Sequence, residues 1–211
     1  MTLQQRADAL AGWTLGEIGA RFGWRAPPDL RRHKGWIGNL VELALGATAG
    51  SRALPDFPEL GIELKTIPVD ARGVPRQSTF VCTAPLGDLG DDWSTSWVRK
   101  KLARVLWLPI LGDGPPGERM VGGAVMWSPD AEEEARLRED WHHLVELVVR
   151  GELDQVTGHR GEVLQLRPKG QSAADTSWVL DSEGEWVRAQ DRAFYLRPSF
   201  TAALLRRALR L

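Results

Sequence analysis

Asp56, Glu63 and Lys65 are the residues whose types and spacing suit chemistry. They lie in the run Pro55-Asp-Phe-Pro-Glu-Leu-Gly-Ile-Glu-Leu-Lys65, where an Asp is followed by a turn-rich connection and a strand-like Gly61 to Ile67. Successive side chains of a strand point to opposite faces, so Glu63 and Lys65 share one face and Ile62 and Leu64 the other. Two carboxylates offer hard oxygen ligands to Mg²⁺, and an ammonium can sit beside the water or phosphate that such an ion binds. That chemistry is phosphodiester hydrolysis. On these three residues alone the alternative is an edge strand with solvated charges.

The elements that must position them can be read on either side. Thr14 caps a short helix running to Phe22, and Pro27-Pro28 before Asp29 closes that region. From Gly35, residues Ile37, Leu40, Val41, Ala44 and Leu45 follow helical spacing, with Gly46 as terminator. Glu42 falls off that apolar stripe, which leaves it either a solvated helix glutamate or a third carboxylate for the site. Gly61 to Val69 and Ser78 to Ala84 read as two strands joined as a hairpin. Ser94 or Thr95 starts a helix with Val98 and Leu102 inward. Its Arg99, Lys100 and Lys101, with Arg104 beyond, are either a phosphate-facing group or a solvated face.

Arg104 to Leu111 continues as an apolar strand, and Gly112 to Gly117 is a loop. Ser128-Pro129 reads as the N-cap and first position of an acidic helix whose buried stripe is Leu137, Trp141, Leu144, Val145 and Val148, ended by Gly151. His142 and His143 have no metal-ligand partner one turn on and read as structural or surface residues. Strands follow near Glu162 to Leu166, Ser177 to Leu180, Glu185 to Arg188 and Ala193 to Leu196, then a last helix from Ser199. Strands near both ends with helices between them predict an α/β fold with a mixed sheet.

A chain of 211 residues with 43% hydrophobic and 26% charged residues is expected to fold as one globular unit, not as a fibrous or disordered chain. Ten Trp against one Tyr predict a rigid aromatic core, with some rings left for a partner. The only cysteine, Cys82, excludes a disulfide framework and reads as a buried thiol in a cytosolic protein. No apolar run reaches the roughly 18 residues of a bilayer span, and Met1 to Ala11 is too polar for a signal peptide. The net charge is −1, but residues 130 to 154 hold nine acidic against three basic side chains, and residues 155 to 211 nine basic against six acidic. A DNA-binding surface would draw on the two ends and turn the acidic segment away.

Taken in order, these segments resemble the MutH-type mismatch-repair endonucleases, a branch of the PD-(D/E)XK nuclease superfamily. The resemblance runs from about Trp13 to Leu205. It is carried by Lys34-Gly-Trp-Ile-Gly, Leu45-Gly-Ala-Thr-Ala-Gly-Ser51, Asp56 to Asp70, Thr79-Phe-Val-Cys, Arg104-Val-Leu-Trp-Leu-Pro, Trp127-Ser-Pro, Leu166-Arg-Pro-Lys169 and Phe194-Tyr-Leu. It implies an enzyme that nicks the unmethylated strand of newly replicated DNA at GATC sites in methyl-directed mismatch repair, after activation by MutL. The implied catalytic positions are Glu42, Asp56, Glu63 and Lys65 with Lys34 nearby, and the implied metal set is Asp56, Glu63, Leu64 and Glu42. DNA contacts are implied at Lys34, Gly35, Arg167, Pro168, Lys169 and Tyr195. Pro198 departs from relatives that carry a basic residue there, so a phosphate contact is expected to be lost. The implied fold is two arms around a DNA cleft, residues 1 to 110 carrying catalysis and 111 to 211 recognition.

The expected cofactor is Mg²⁺, with Mn²⁺ as a substitute and Ca²⁺ supporting binding without cleavage. Asp56 and Glu63 would hold the ion, while Lys65, whose reference pKa of roughly 10.4 makes it a poor base, would orient the attacking water. The expected partners are double-stranded DNA and a MutL-type activator, with no membrane. The chain is expected to be monomeric, cytoplasmic, and associated with the nucleoid through DNA. Two rivals remain at this stage: a stand-alone restriction enzyme cutting both strands at unmethylated GATC, and a catalytically silent DNA-binding adaptor that would need Arg167 and Lys169 but not the carboxylates.

Overall fold

The computed structural model describes residues 1–50, 52–169 and 176–210. They fall into two compact units, one of Met1–Gln77, Ala103–Ser128 and Ala202–Leu211, the other of Ser78–Leu102 and Pro129–Thr201.

The first unit is a four-stranded mixed sheet with helices α1 (Leu3–Asp8), α2 (Leu15–Arg21) and α3 (Trp36–Leu45). Strand β3 (Val105–Leu111) is central. It pairs in parallel with β1 (Glu63–Val69) and antiparallel with β4 (Met120–Val121) and β5 (Val125–Trp127). A proline inside a central strand removes a ladder donor. Pro109 lies opposite Ile67 of β1, and its carbonyl still accepts the Gly122 N–H (2.8 Å) beside β4.

Helices α1 and α2 each open on a capping box, Thr2 with Gln5 and Thr14 with Glu17. The apolar stripe of α3, Ile37, Leu40, Val41 and Leu45, is buried together with Ile62, Leu64, Leu106, Leu108 and Ile110 from one face of the sheet. Each such side chain contributes at most about 1.5–3 kcal/mol. Gly46 closes α3 in the left-handed region (φ 71°), where a side chain would be strained.

The second unit contains a three-stranded antiparallel sheet in the order β2 (Thr79–Ala84), β9 (Arg192–Leu196), β6 (Leu164–Pro168). A separate ribbon pairs β7 (Thr176–Leu180) with β8 (Trp186–Gln190). Helices α4 (Trp97–Leu102) and α5 (Ala131–Val149) complete it, and α6 (Pro198–Leu209) begins at its end. Pro198 is the first helical residue of α6, a position where its missing N–H costs nothing. The α5 stripe Leu137, Trp141, Leu144, Val145 and Val148 is buried.

Several expectations are corrected. The strands at 61–69 and 78–84 do not form a hairpin: β1 pairs with β3, and β2 pairs with β9 in the other unit. A Gly/Pro-containing connection looks the same whether its strands pair with each other or with distant partners. The α5 cap is Asp130, in a capping box with Glu133, two residues beyond Ser128; where several cap-competent residues run together, the one whose carboxylate reaches the third backbone N–H wins. Cys82 is half-buried rather than buried, because it sits at a register shift where β2 departs from regular pairing with β9. Of the ten tryptophans, Trp93, Trp107, Trp127 and Trp141 are core, while Trp24, Trp97, Trp178 and Trp186 are exposed. No helix of the described residues is long and apolar enough to cross a membrane.

One buried acid was not anticipated. Asp140 accepts backbone N–H bonds from Glu162 (2.8 Å), Val163 (2.6 Å) and Leu164 (2.8 Å), tying α5 to the entry of β6. Hydrogen bonds to a charged acceptor contribute roughly 1.5–3 kcal/mol, and losing the acceptor strands buried donors. Asp140→Ala is therefore expected to lower unfolding free energy by at least about 3 kcal/mol, measured by urea denaturation. A change under about 1 kcal/mol would show that water replaces the carboxylate.

Candidate active site

The chain leaving α3 folds back on itself to build the first group of candidate residues. Ala47 N–H bonds to the Glu42 carbonyl (2.9 Å), and the N–H groups of Thr48 and Ala49 bond to the Asp56 carbonyl (3.1 and 3.3 Å). Phe57 and Ile62 then exchange two backbone bonds (2.9 and 3.3 Å) around a 3-10 turn, Pro58–Leu60. Gly61 closes this turn with φ 61°, a left-handed conformation that favours glycine. The result is a tight loop that returns Asp56 to the start of β1.

Asp56 Oδ2 accepts the Leu64 N–H at 2.7 Å. That bond fixes the carboxylate beside the strand and leaves Oδ1 for another partner. Glu63 N–H donates to the Arg104 carbonyl (2.9 Å), which seats the first residue of β1 against the chain entering β3. On the same face of β1, Lys65 Nζ lies 3.4 Å from Glu63 Oε1, and both side chains are only 8% exposed. The picture of a solvated edge strand is thereby overturned: this is a buried ion pair, and isolated burial of either charge would be costly. The assignment of Ile62 and Leu64 to the opposite, core face holds.

Glu42 lies in the last turn of α3, half-buried, with its backbone in the loop network that holds Asp56. Lys34 and Gly35 are exposed at the opposite end of α3, Gly35 as its N-cap. From Trp36, the first residue of α3, to Glu42 the helix rises about 9 Å, and Lys34 lies before that start. Among the described residues no three or more His, Cys, Asp or Glu side chains are gathered as a metal cage. The donor chemistry at Asp56 and Glu63 is nevertheless that of a hard cation. Two carboxylates fit a divalent cation that is bound through oxygen ligands and keeps several of its waters.

The second group lies on the β2-β9-β6 sheet. Gln165, Arg167 and Lys169 follow one another at every second residue, so one face carries all three. Arg167 Nη1 donates to Ser78 Oγ (3.0 Å), Ser78 Oγ donates to Gln165 Oε1 (3.2 Å), and Lys169 Nζ donates to Thr83 Oγ1 (3.1 Å). Gln165 Nε2 in turn donates to the Gly158 carbonyl. Tyr195, opposite Gln165 in register, packs edge-on to Phe80 with ring centroids 5.7 Å apart. The Arg167 guanidinium lies 5.5 Å from the Tyr195 ring centroid. As anticipated, Phe194 and Leu196 are buried and Tyr195 is not.

Arg167, Lys169 and Tyr195 are thus one surface, with Pro168 between the two basic residues on the alternate face of the strand. Ser78, Phe80, Thr83 and Gln165 also belong to it; Ser78 and Thr83, 86 to 89 residues from their basic partners, leave no local signal, whereas the every-other spacing of Gln165 with Arg167 could have found it. Beneath this sheet Arg192 donates to the carbonyls of Val156 (2.7 Å) and Leu153 (3.0 Å), and burial pushes its pKa below the usual guanidinium value.

A mixed α/β sheet whose outer strand carries a buried carboxylate and lysine, with a second carboxylate tied to the residue between them, is the kind of site that metal-dependent nucleases use. Residues 45–140 match the family model described as DNA mismatch repair enzyme MutH. The chain is 49% identical over 210 residues to the DNA mismatch repair protein MutH of Haemophilus ducreyi, covering 98% of this chain and 93% of that protein. It is 49% identical to the protein of the same name from Yersinia enterocolitica and 50% identical to that from Serratia proteamaculans, in each case over 97% of this chain and 91% of the relative. The chain belongs to the MutH family.

Proposed function

We infer that this chain, a DNA mismatch repair endonuclease, nicks the unmethylated strand at hemimethylated GATC sites in a Mg²⁺-dependent reaction, with Asp56, Glu63 and Lys65 as its catalytic residues. The observation that carries the reading is the buried Glu63–Lys65 pair at 3.4 Å, with Asp56 hydrogen-bonded to Leu64 between them at 2.7 Å. Family membership supplies the substrate and the repair role.

When bound, the divalent ion supplies charge that offsets the negative charge gathering on the scissile phosphate. Asp56 Oδ1, Glu63 and the Leu64 backbone would hold it. The Asp56 bond to Leu64 N–H orients the carboxylate before any ion arrives. Lys65, held by Glu63, positions the attacking water and stabilises the developing charge. Glu42 is assigned a supporting place next to this group, and Lys34 and Gly35 a contact to DNA.

The first unit is assigned catalysis and the second base recognition. In the second, Arg167 suits a bidentate contact to a guanine edge, and Tyr195 suits the outward N6 position of adenine, where methylation replaces a hydrogen with a methyl group. Arg167→Ala is expected to weaken binding to GATC duplexes at least tenfold more than binding to unrelated DNA, read by fluorescence anisotropy at fixed salt. A uniform loss would make it a phosphate contact. Tyr195→Ala is expected to narrow the rate difference between unmethylated and methylated strands. Tyr195→Phe separates the hydroxyl from the ring. Full methylation preference in both variants, at matched DNA occupancy, would move the sensor elsewhere.

A MutL-type protein as activator, a monomeric state, and a cytoplasmic location on nucleoid DNA complete the proposal. The deciding experiment is a plasmid assay with Mg²⁺ and unmethylated, hemimethylated or fully methylated GATC sites. Nicks confined to unmethylated strands and stimulated by MutL are expected. Double-strand cuts without a partner would favour the restriction-enzyme reading, and binding without cleavage the adaptor.

A further inference from the structure

A cavity of about 230 Å³ lies within the first unit, lined among others by Arg6, Leu10, Trp13, Ile18, Arg21 and Ala44. None of these residues belongs to the site above, and no carboxylate lines the cavity. Arg6 Nε is fully buried and, among the described residues, has no hydrogen-bond partner. Buried guanidinium donors are ordinarily satisfied, so an orphaned one calls for an explanation. The guanidinium rests against the C-terminal end of α3, since a Cβ added at Gly46 would come within 3.1 Å of Arg6 Nη1. The negative end of that helix positions the charge without supplying a counter-ion. Arg21 provides a second guanidinium, its Cζ 3.8 Å from the Trp13 ring centroid. Glu17, one turn before Arg21 and within its electrostatic reach, spends Oε2 on the Thr14 N–H and hydroxyl, both at 2.8 Å.

We propose that this cavity binds a carboxylate carried on a small apolar body. Arg6 and the exposed Arg21 both line this space, neither in an ion pair within 4 Å among the described residues, and planar guanidinium forks match carboxylate oxygens in pairs. Trp13, Leu10, Ile18 and Ala44 then form an apolar wall for a ring or branched alkyl group. The volume is below the roughly 300–1,000 Å³ of drug-sized ligand sites, which restricts the ligand to about the size of one side chain. Two sources present that chemistry: a free small carboxylate, or the C-terminal carboxylate of a peptide ending in an apolar residue.

Calorimetric titration of the full chain with phenylacetate, with a tetrapeptide ending in free phenylalanine, and with the same peptide amidated tests the assignment. Saturable binding at one ligand per chain is expected for a free acid, the tighter of the two acids naming the source. At least a tenfold loss is expected in Arg6→Gln and in Arg21→Gln. Absence of binding by both acids, equal binding of the amidated peptide or of sulfate, or unchanged affinity in both variants would overturn the proposal. Thermal unfolding without ligand gives an independent check. Arg6→Gln removes an unsatisfied buried donor, so its Tm should equal or exceed that of the parent. A fall of several degrees would make Arg6 a brace for α3 and overturn the site.

Discussion

Asp56→Asn is expected to reduce Mg²⁺-dependent DNA nicking by roughly a thousandfold or more, about 4 kcal/mol of transition-state stabilisation, while sequence-specific DNA binding survives. The carboxamide can still accept the Leu64 N–H through its oxygen, a bond of 2.7 Å in the parent, so the loop returning to β1 keeps its shape. What the variant loses is the negative charge, which is what a hard cation requires. Glu63→Gln should be equally inactive but is the less clean test. It leaves Lys65 charged and only 8% exposed without the carboxylate that stands 3.4 Å away, at a cost of about 3–5 kcal/mol to stability. The measurement is single-turnover nicking of a hemimethylated duplex, with binding followed in Ca²⁺. Asp56→Asn nicking at the parental rate in Mg²⁺ would end the metal assignment. Loss of binding together with nicking would place Asp56 on the DNA instead.

How much of this was legible in the sequence depends on how far apart the cooperating residues lie. Helix α3 could be read because its causes are local: Ile37, Leu40, Val41 and Leu45 repeat at helical spacing and Gly46 supplies the left-handed stop. The facing of Ile62 and Leu64 against Glu63 and Lys65 follows from the pleat of a single strand. Strand partners are not local. The parallel match of Glu63 to Val105 and Lys65 to Trp107 is decided by burial across the whole sheet, and with it the burial of the ion pair. A short apolar-polar strand looks alike at a wet edge and in a dry site.

The polar surface of the β2-β9-β6 sheet divides in the same way. The basic pair Arg167 and Lys169 was visible at its every-other spacing. Its supports, Ser78 and Thr83, reach it only because β2 and β6 both flank β9. Asp140 was hidden for the opposite reason. It sits within an acidic helix that reads as solvated, yet it faces three backbone N–H groups that need an acceptor.

Lys65→Met should separate chemistry from binding more sharply than any other change on β1. Methionine fills much of the lysine stem volume, so packing against the sheet is largely kept. The ammonium is lost, and with it the charge that stands 3.4 Å from Glu63. Two effects then compete. Glu63 loses the ammonium at 3.4 Å, which destabilises the metal-free protein and raises the benefit of binding any cation. The attacking water loses its positioning charge, which lowers the chemical step by roughly 10²–10³-fold. The variant is therefore expected to bind Mg²⁺ or Ca²⁺ at least as tightly as the parent and to be stabilised more by the ion in thermal unfolding, yet to nick slowly at saturating metal. DNA affinity in Ca²⁺ should stay within a few-fold of the parent, because the role proposed for Lys65 is at the attacking water and not at the bases. Single-turnover rates within a few-fold of the parent at saturating Mg²⁺ would reduce Lys65 to the structural partner of Glu63. A slow rate recovered fully by raising Mg²⁺ would show that its effect is on ion binding and not on the water.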